Sequence, residues 1–374
     1  MQRIDRFLYL GALVGLFSNP SSAATIYGQT NLTSDIPGLA ANTDASLKNP
    51  WGVSFGPTSP FWVSDQMTGI ATLYNAAGQR QTLFVATPPA APTGQVFNST
   101  SASFLEANGQ KATFIFATIP GTIDAWNIGN GGSAVVEATS ANSAYTGLAL
   151  ANNGSGDFLY AANFRSGNID VFNSSFTPVS PSAPFTDPNL PAGYAPYGIQ
   201  NIGGKLYVQY AQVDPVTHKA AVGPGLGIVD VFDPNGGAPH RLVTGGVLNA
   251  PWGITLAPSA FGDFSNDLLI GNFGDGVIDA FDPMSGDFRG SLKDAHGNPI
   301  ANPGLWALEF RAAPNFDPST LFFTAGINNE ADGLFGSIQV TPEPGTLVPM
   351  ALGLALAGLL RRHVLLKPSN RALH

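Results

Sequence analysis

A unit of about 50 residues recurs along most of the chain, and no other sequence feature constrains the fold as strongly. Each unit opens with a short apolar run, often Pro, an aromatic residue and Gly, and a second apolar strand follows. The third strand alternates apolar and polar residues, as in Asn168-Ile169-Asp170-Val171-Phe172. A unit of this length that returns in register predicts a solenoid or a ring of small sheets.

The repeated motif marks six units of three or four short strands each. The units open at Pro50-Trp51-Gly52-Val53, Ala102-Ser103-Phe104-Leu105, Thr146-Gly147-Leu148-Ala149, Pro196-Tyr197-Gly198-Ile199, Pro251-Trp252-Gly253-Ile254 and Leu305-Trp306-Ala307-Leu308. This pattern predicts an all-β, six-bladed β-propeller. The last unit has only three strands, so we expect residues 26–33 to supply its outer strand and to close the ring.

Composition supports β structure and narrows the possible partners. The chain has 44 Gly, 30 Pro and 25 Phe, which supply turns and aromatic strand positions, and only 11% charged residues. Between residues 25 and 341, ten Lys and Arg stand against twenty-three Asp and Glu. This acidic balance argues against nucleic acid as a partner. The lack of Cys excludes disulfides and thiolate metal sites.

The N-terminus has the form of a secretory signal peptide. Arg3 and Arg6 precede an apolar core over 7–17, and the small residues 21–24 follow. We expect residues 1–24 to be the signal peptide, with cleavage after Ala23 or Ala24.

The C-terminus has the form of a membrane anchor. A Pro-rich break is followed by an apolar segment over 346–360 and by Arg361-Arg362, and the basic side of such a segment stays in the cytoplasm. At about 1.5 Å per residue, the segment reaches roughly 22 Å of a bilayer core of about 30 Å. This shortfall favours a transient membrane segment over a permanent one, and the folded body between the two ends would be exported.

The motif Pro342-Glu343-Pro344, with the apolar segment and Arg361-Arg362, resembles the PEP-CTERM sorting signal of Gram-negative bacteria over residues 342–374. The resemblance implies handling by an exosortase in an organism that makes extracellular polysaccharide. It implies delivery to the cell envelope or extracellular matrix, with transient anchoring in the inner membrane. An ordinary C-terminal anchor without processing is the alternative.

The Pro-Trp/Tyr-Gly openings and the Ile-Asp-x-Phe third strands resemble NHL-type and gluconolactonase-like six-bladed propellers. The stretch from Asn31 through Asn49-Pro50-Trp51-Gly52 to Asp65 looks like uncharacterised exported bacterial propellers that often carry this sorting signal. The resemblance covers most of residues 25–341. It implies a fold and a location and no activity.

Candidate binding residues recur near the loops that precede first strands and join second to third strands, which meet at one face of a propeller. Aromatic rings with nearby amides can stack on sugar rings and bond their hydroxyls. Packing between blades and turn formation are the alternative roles for these residues. The candidates are the aromatic residues Trp51, Tyr197, Trp252 and Trp306 and the polar residues Asp65, Asn163, Asn272 and Asn328.

A divalent cation is a further expectation, since gluconolactonase-like propellers hold one on the axis with carboxylate and amide oxygens. Asp65, Asn163 and Asn272 are the candidate ligands, and their oxygens suit Ca²⁺. The glutamate that such a site uses near the start of the first blade is absent, because Ser54 and Phe55 stand there.

Other catalytic patterns are absent from the sequence. The histidines do not recur in register, and no nucleophile elbow or phosphate loop occurs. We expect the repeated third-strand acids to face solvent or to bond turns; they are Asp124, Asp170, Asp230 and Asp279.

Two functions follow from the sequence. The first is an exported, non-enzymatic protein of the envelope or matrix that recognises glycan or protein through its loop face. Its expected partners are an exosortase, a polysaccharide or surface protein, and the membrane. The alternative is a metal-dependent lactonase or hydrolase of the gluconolactonase-like kind.

Overall fold

The structure, a computed structural model, describes residues 25–181, 183–313 and 316–341. These residues form six small sheets in a ring, the six-bladed β-propeller that the repeats predict. The predicted signal peptide and the predicted sorting signal, including residues 346–360, lie outside the described residues. Among the described residues, no helix is long and apolar enough to cross a membrane.

The strands follow the chain from blade to blade. The chain begins with β1 (Ile26–Ser34) and β2 (Asn42–Thr43). Blade one contains β3 (Pro50–Ser54), β4 (Phe61–Asp65), β5 (Ile70–Tyr74) and β6 (Arg80–Ala86). Blade two contains β7 (Pro92–Phe97), β8 (Phe114–Thr118), β9 (Thr122–Trp126) and β10 (Val135–Thr139). Blade three contains β11 (Tyr145–Asn152), β12 (Asp157–Asn163), β13 (Asn168–Phe172) and β14 (Pro178–Val179).

The other three blades complete the ring. Blade four contains β15 (Tyr194–Ile202), β16 (Lys205–Gln212), β17 (Ile228–Phe232) and β18 (His240–Thr244). Blade five contains β19 (Pro251–Leu256), β20 (Leu268–Asn272), β21 (Ile278–Phe281) and β22 (Phe288–Ser291). Blade six takes β23 (Leu305–Phe310), β24 (Leu321–Ala325) and β25 (Leu334–Thr341) from the end of the chain. Short 3₁₀ turns span Ile128–Asn130 and Gly262–Phe264.

The N-terminal strand closes the ring, as the sequence predicts. β1 pairs antiparallel with β25, from Ile26 opposite Thr341 to Ser34 opposite Leu334. β2 extends the same sheet by a short parallel pairing with β1. Blade six therefore combines the two ends of the described chain, and this removes an open edge from β25.

The predicted opening of blade two at residues 102–105 is wrong. Its first strand is β7, ten residues earlier in the chain. Phe104 lies instead in the long connection between β7 and β8, fully buried and with a left-handed φ of 65°. The correct signal was Pro92-Thr93-Gly94, which repeats the Pro-x-Gly opening without its aromatic residue.

The repeated Gly of the opening motif lets neighbouring inner strands approach closely. A Cβ at Gly94 would lie 2.3 Å from the backbone N of Leu148 in the next blade. A Cβ at Gly253 would lie 2.2 Å from the carbonyl O of Trp306. Only a residue without a side chain fits these positions, so the motif is a packing signature of the ring.

A buried arginine links blade six to blade one. Arg311 follows β23 and is 1% exposed, and its guanidinium lies 4.0 Å from the ring centroid of Phe316 and 4.9 Å from that of Phe61. Its Nη2 donates to the carbonyl O of Ser59 at 2.5 Å. Burial lowers the pKa of Arg311. Aromatic faces and carbonyls replace only part of the water that the cation has lost, because Nε and Nη1 are buried and make no hydrogen bond with the described residues.

Candidate functional site

The four predicted aromatic residues meet at the propeller axis. Each begins or nearly begins a first strand, so the ring brings all four to the loop face, where the chain enters each blade. Trp51 stacks on Trp306 with ring centroids 3.5 Å apart, and Trp252 meets Trp306 edge-on at 5.6 Å. Tyr197 of blade four lies 6.2 Å from Trp51 of blade one. We call these four rings the aromatic plug.

Loop residues complete the plug and leave its rings little exposed. Phe164 and Phe273, each just after a second strand, pack on Tyr197 and on Trp306 respectively. Trp306 is 0% exposed, and Trp51 and Tyr197 are 5% exposed. Trp252 is only partly buried. The other three rings pack on their neighbours instead of presenting open faces.

Two indole groups of the plug are fixed by hydrogen bonds. Trp306 Nε1 donates to Asn49 Oδ1 at 2.9 Å. Trp252 Nε1 donates to the carbonyl O of Thr146, in blade three, at 2.9 Å. Trp51 Nε1 is buried and has no hydrogen-bond partner among the described residues. The bonds and the stacking make the axis rigid at the loop face.

Three of the four polar candidates occupy equivalent positions and bond within their own blades. Asn163 Nδ2 and Asn272 Nδ2 each donate to the third-strand acid beside them, Asp170 and Asp279, at 2.9 Å. Asp65 Oδ2 accepts from Thr72 Oγ1 at 2.6 Å. Burial raises the pKa of Asp65 well above its usual range. These groups connect second strands to third strands.

The fourth polar candidate, Asn328, does not join them. It is exposed in the loop between β24 and β25, and its Nδ2 donates to Asp332 Oδ2 at 2.8 Å. The candidates therefore divide into an axial aromatic cluster, three bonds inside blades and one surface loop residue. The structure does not bring all eight together.

The sequence predicts that the third-strand acids face solvent or bond turns. Three of the four are buried, and Asp170 and Asp279 accept hydrogen bonds from Asn163 and Asn272, which stand at the turns before the third strands. Asp124 and Asp230 are 0% exposed and Asp279 is 2% exposed, while Asp170 is half-buried. Burial raises the pKa of Asp124 to about 8 and that of Asp230 to about 7. Packing of neighbouring blades covers the middle of each third strand, which the alternation within one blade does not reveal.

A carboxylate that sequence reasoning missed lies on the axis beyond the plug. An axial cavity of about 30 Å³ is lined by the inner strands of all six blades, and Trp252, Gln95, Gln200 and Glu309 contribute to its wall. Glu309 Oε1 accepts from Gln200 Nε2 at 3.1 Å, which links blade six to blade four. Burial raises the pKa of Glu309 to about 8.

A buried polar atom in the wall of the cavity lacks a hydrogen-bond partner among the described residues. Gln95 is 6% exposed, and its Oε1 makes no hydrogen bond with the described residues. The volume suits ordered water or one ion and is too small for a sugar ring. A sequence signal existed, because Glu309 stands two residues after Ala307, which occupies the position of the repeated Gly.

A second carboxylate stands beside the plug at the loop face. Glu330 Oε1 accepts from Asn49 Nδ2 at 3.1 Å, and Lys219 Nζ lies 3.5 Å from Glu330 Oε2. The loop that carries it has three successive residues with left-handed φ, Asn328, Asn329 and Glu330, at 54°, 56° and 69°. Such a run costs roughly 1–2 kcal/mol per residue, so the surrounding bonds must hold it in place.

The described residues offer little for metal or histidine chemistry. They contain no group of three or more His, Cys, Asp or Glu side chains placed to hold a metal ion. The candidate ligands Asp65, Asn163 and Asn272 lie in three different blades and bond there. His218 lies in the β16–β17 loop and His240 begins β18, both in blade four, whereas His296 follows β22 of blade five.

Together, the ring and its closed centre define the class of the protein, a six-bladed β-propeller with an aromatic axis at its loop face. The chain belongs to the family of the uncharacterised proteins R648 and L690 of Acanthamoeba polyphaga mimivirus. It is 34% identical to R648 over 88% of this chain and 85% of that protein. It is 33% identical to L690 over 85% of this chain and 87% of that protein. No protein-family profile matches the chain.

Solved structures share the fold. A protein of unknown function from Bacteroides thetaiotaomicron superposes with a TM-score of 0.55 and 11% identity, over 85% of this chain and 76% of that one. A streptogramin B lyase superposes with a TM-score of 0.50 and 10% identity, over 84% of this chain and 98% of that one. At these identities the likeness shows the fold alone. Both of these sequence relatives are viral proteins, and a bacterial source and the sorting signal stay predictions.

Proposed function

We propose that this chain is an exported, non-enzymatic binding protein that recognises a protein partner through its loop face. The observation that carries the proposal is the aromatic plug, which fills the centre of that face where a substrate pocket would otherwise lie. A face without a deep pocket suits recognition of another surface better than catalysis on a small molecule.

The loops around the plug have the side chains that protein interfaces use. Val216 and Val222, in the long loop between β16 and β17, are 83% and 56% exposed, and Met67 in blade one is 57% exposed. Lys219 and Glu330 add charges of both signs among these apolar groups. Exposed apolar side chains on the loops of a rigid frame favour a protein interaction site.

A glycan partner has less support than a protein partner. Stacking on a sugar requires an open aromatic face, whereas Trp51 and Trp306 cover each other. Recovery of a polysaccharide instead of a protein is therefore an outcome that would overturn the choice made here.

The proposal includes export to the cell envelope or extracellular matrix. It rests on the sequence patterns at both ends: the signal peptide over 1–24, and the Pro342-Glu343-Pro344 motif with Arg361-Arg362. An exosortase is the proposed processing partner, and the apolar segment over 346–360 is the proposed transient anchor.

Lysine cross-linking in the organism that makes the protein tests the binding face. The side chain of Lys219 is 76% exposed on the loop face, and that of Lys205 is 53% exposed in the β15–β16 hairpin on the opposite face. We expect cross-links to one partner protein from Lys219 and not from Lys205. The double variant Val216→Ser, Val222→Ser should reduce their yield at least about fivefold.

The matched control for that variant is Ile128→Ser. Ile128 is 74% exposed between β9 and β10, on the face opposite the loops, so its replacement should leave the yield unchanged. Cross-links that arise mainly from Lys205, or that survive in the double variant, would contradict recognition through the loop face.

A second candidate function, a cation-dependent hydrolase, is favoured by Glu309. Its carboxylate and the free Oε1 of Gln95 line the axial cavity together, and oxygen ligands suit Ca²⁺. Under this alternative, purified protein should bind about one equivalent of Ca²⁺ in a calorimetric titration, and Glu309→Gln should abolish binding. Absence of binding by the unaltered protein would remove this candidate.

A further inference from the structure

The first described residue, Thr25, is held by two reciprocal hydrogen bonds from blade five. Its backbone N donates to Asp263 Oδ2 at 2.8 Å. Asp263 N in turn donates to Thr25 Oγ1 at 3.0 Å. The hydroxyl and the amide of one residue are therefore both used by one acidic partner, more than two hundred positions away in the chain.

The backbone of blade five lies close against the Thr25 side chain, and only glycine fits at position 262. Gly262 has a left-handed φ of 62°, and a Cβ there would lie 2.4 Å from Thr25 Cγ2. Two residues further along β1, the Tyr27 hydroxyl donates to the carbonyl O of Phe261 at 3.0 Å. We call residues 261–264 the blade-five clasp, because they hold the start of β1 from the neighbouring blade.

The clasp borders an open cleft that contains charged groups of both signs. The cleft has a volume of about 430 Å³ and is lined by Thr25, Asp263, Asp267, Arg289 and Lys293. Arg289 is already paired with Asp282, so its charge is partly neutralised. The Asp263 carboxylate has the Thr25 backbone N as its hydrogen-bond donor, and the cleft leaves room for a hydrated charge there.

We infer that the mature chain begins at Thr25 and that its α-ammonium group is bound by Asp263 in the blade-five clasp. This inference rests on the export that the proposed function includes. A leader peptidase would add water across the Ala24–Thr25 amide bond. The products are a carboxylate on Ala24 and an ammonium on Thr25, already beside its counter-ion.

The geometry distinguishes between the two cleavage positions that the sequence leaves open. Cleavage after Ala24 places the new positive charge on the atom that Asp263 already contacts, and charge-assisted hydrogen bonds are about twice as strong as neutral ones. Cleavage after Ala23 leaves Thr25 N as a neutral amide and puts the ammonium on Ala24 instead of on the atom that Asp263 contacts. Only the first position uses the charge of Asp263.

Intact-mass and N-terminal peptide analysis of the exported protein, expressed from its full-length gene, tests the inference. We expect Thr25 as the first residue. A chain that begins at Ala24 would overturn the assignment and leave export intact. A chain that retains Met1 would overturn both the assignment and the export part of the proposed function, while the cross-linking experiment still judges loop-face binding.

A double-mutant cycle separates the ion pair from a merely structural role. The leader is replaced by a cleavable tag that leaves either Thr25 or Ala24 first, and Asp263→Asn is made in both chains. In the Thr25 chain the substitution should lower the melting midpoint by about 1–3 °C, the range of an exposed ion pair. In the Ala24 chain the loss should be less than about half as large. Equal losses in the two chains would refute the pairing.

Discussion

At the scale of single residues, Asp124 is the buried carboxyl group with the fewest hydrogen bonds in the described part of the ring. It lies in the middle of a third strand, it is 0% exposed, and neither carboxylate oxygen has a hydrogen-bond partner among the described residues. Burial raises its pKa from 3.8 to about 8. Folding therefore keeps this side chain protonated at neutral pH.

The raised pKa makes stability depend on pH in a defined direction. Between about pH 4 and pH 8 the unfolded chain has an ionised Asp124 and the folded chain a protonated one, so the free energy of unfolding falls as pH rises. We expect Asp124→Asn to make the dependence less steep, because it removes the Asp124 contribution and leaves those of Glu309 and Asp230, and to raise the melting midpoint at pH 7. Denaturant unfolding at several pH values measures the effect.

The matched control is Asp233→Asn. The pKa of Asp233 is lowered to about 2, chiefly by its bond with Lys205, so its substitution should leave the pH dependence above pH 4 unchanged. A lower midpoint for Asp124→Asn with an unaltered pH dependence would show that the carboxyl is ionised in the folded protein.

The sequence predicted which types of residue recur in each blade, but not which residues of other blades they contact. The regular spacing of Trp51, Tyr197, Trp252 and Trp306 placed them at equivalent positions, and the structure brings the four rings together. Their role in binding stays a prediction. Whether these rings face solvent or one another depends on six strands meeting at an axis, which no single unit contains. Glu309 was missed for the same reason, since its partner Gln200 comes from another blade.

At the scale of the element, the inner strands depend on glycines that no side chain can replace. A Cβ at Gly253 would lie 2.2 Å from the Trp306 carbonyl O, so the backbone of blade five or six must move to admit one. We expect Gly253→Ala to lower the free energy of unfolding by about 1–3 kcal/mol. Urea denaturation followed by tryptophan fluorescence would measure it.

Gly132 provides the comparison for that substitution. Its nearest atom to an added Cβ is the Phe84 carbonyl O at 3.8 Å, which is ordinary contact. Gly132→Ala should change stability by less than about 0.5 kcal/mol. If both substitutions cost the same, the close approach of inner strands does not limit stability.

The strand pattern predicted five of the six blade openings, and the exception is informative. In blade two the aromatic residue of the motif is replaced by Thr93, whose Oγ1 donates to the carbonyl O of Tyr145 at 2.7 Å. The apolar Phe104 imitates an opening strand but fills a buried space beside Phe176. Composition alone cannot separate a buried loop residue from a strand residue.

At the scale of the whole molecule, β1 joins the two ends of the described chain. It contributes the buried side chains of Tyr27 and Leu32 and the whole outer pairing of β25. We expect deletion of residues 25–34 to lower the free energy of unfolding by at least about 3 kcal/mol, because buried apolar groups and a strand ladder are lost together. Differential scanning calorimetry of the complete and the shortened protein measures the difference in stability.

Rescue by the missing strand distinguishes ring closure from general damage. A synthetic peptide of residues 25–34 added to the shortened protein should raise its melting midpoint in a concentration-dependent way. A scrambled peptide of the same composition should not. A shortened protein that melts like the complete one would show that β1 is dispensable.

The pairing of β1 with β25 also determines when the ring can close during translation. The strand made first must wait for a partner made last, a delay of roughly 15–60 s at ribosomal speeds of about 5–20 residues per second. During that interval the sixth blade cannot form, because β25 has not yet been made. The leader proposed at this end would therefore emerge while the ring is still open, and a translocation channel that accepts only unfolded polypeptide would have time to engage it.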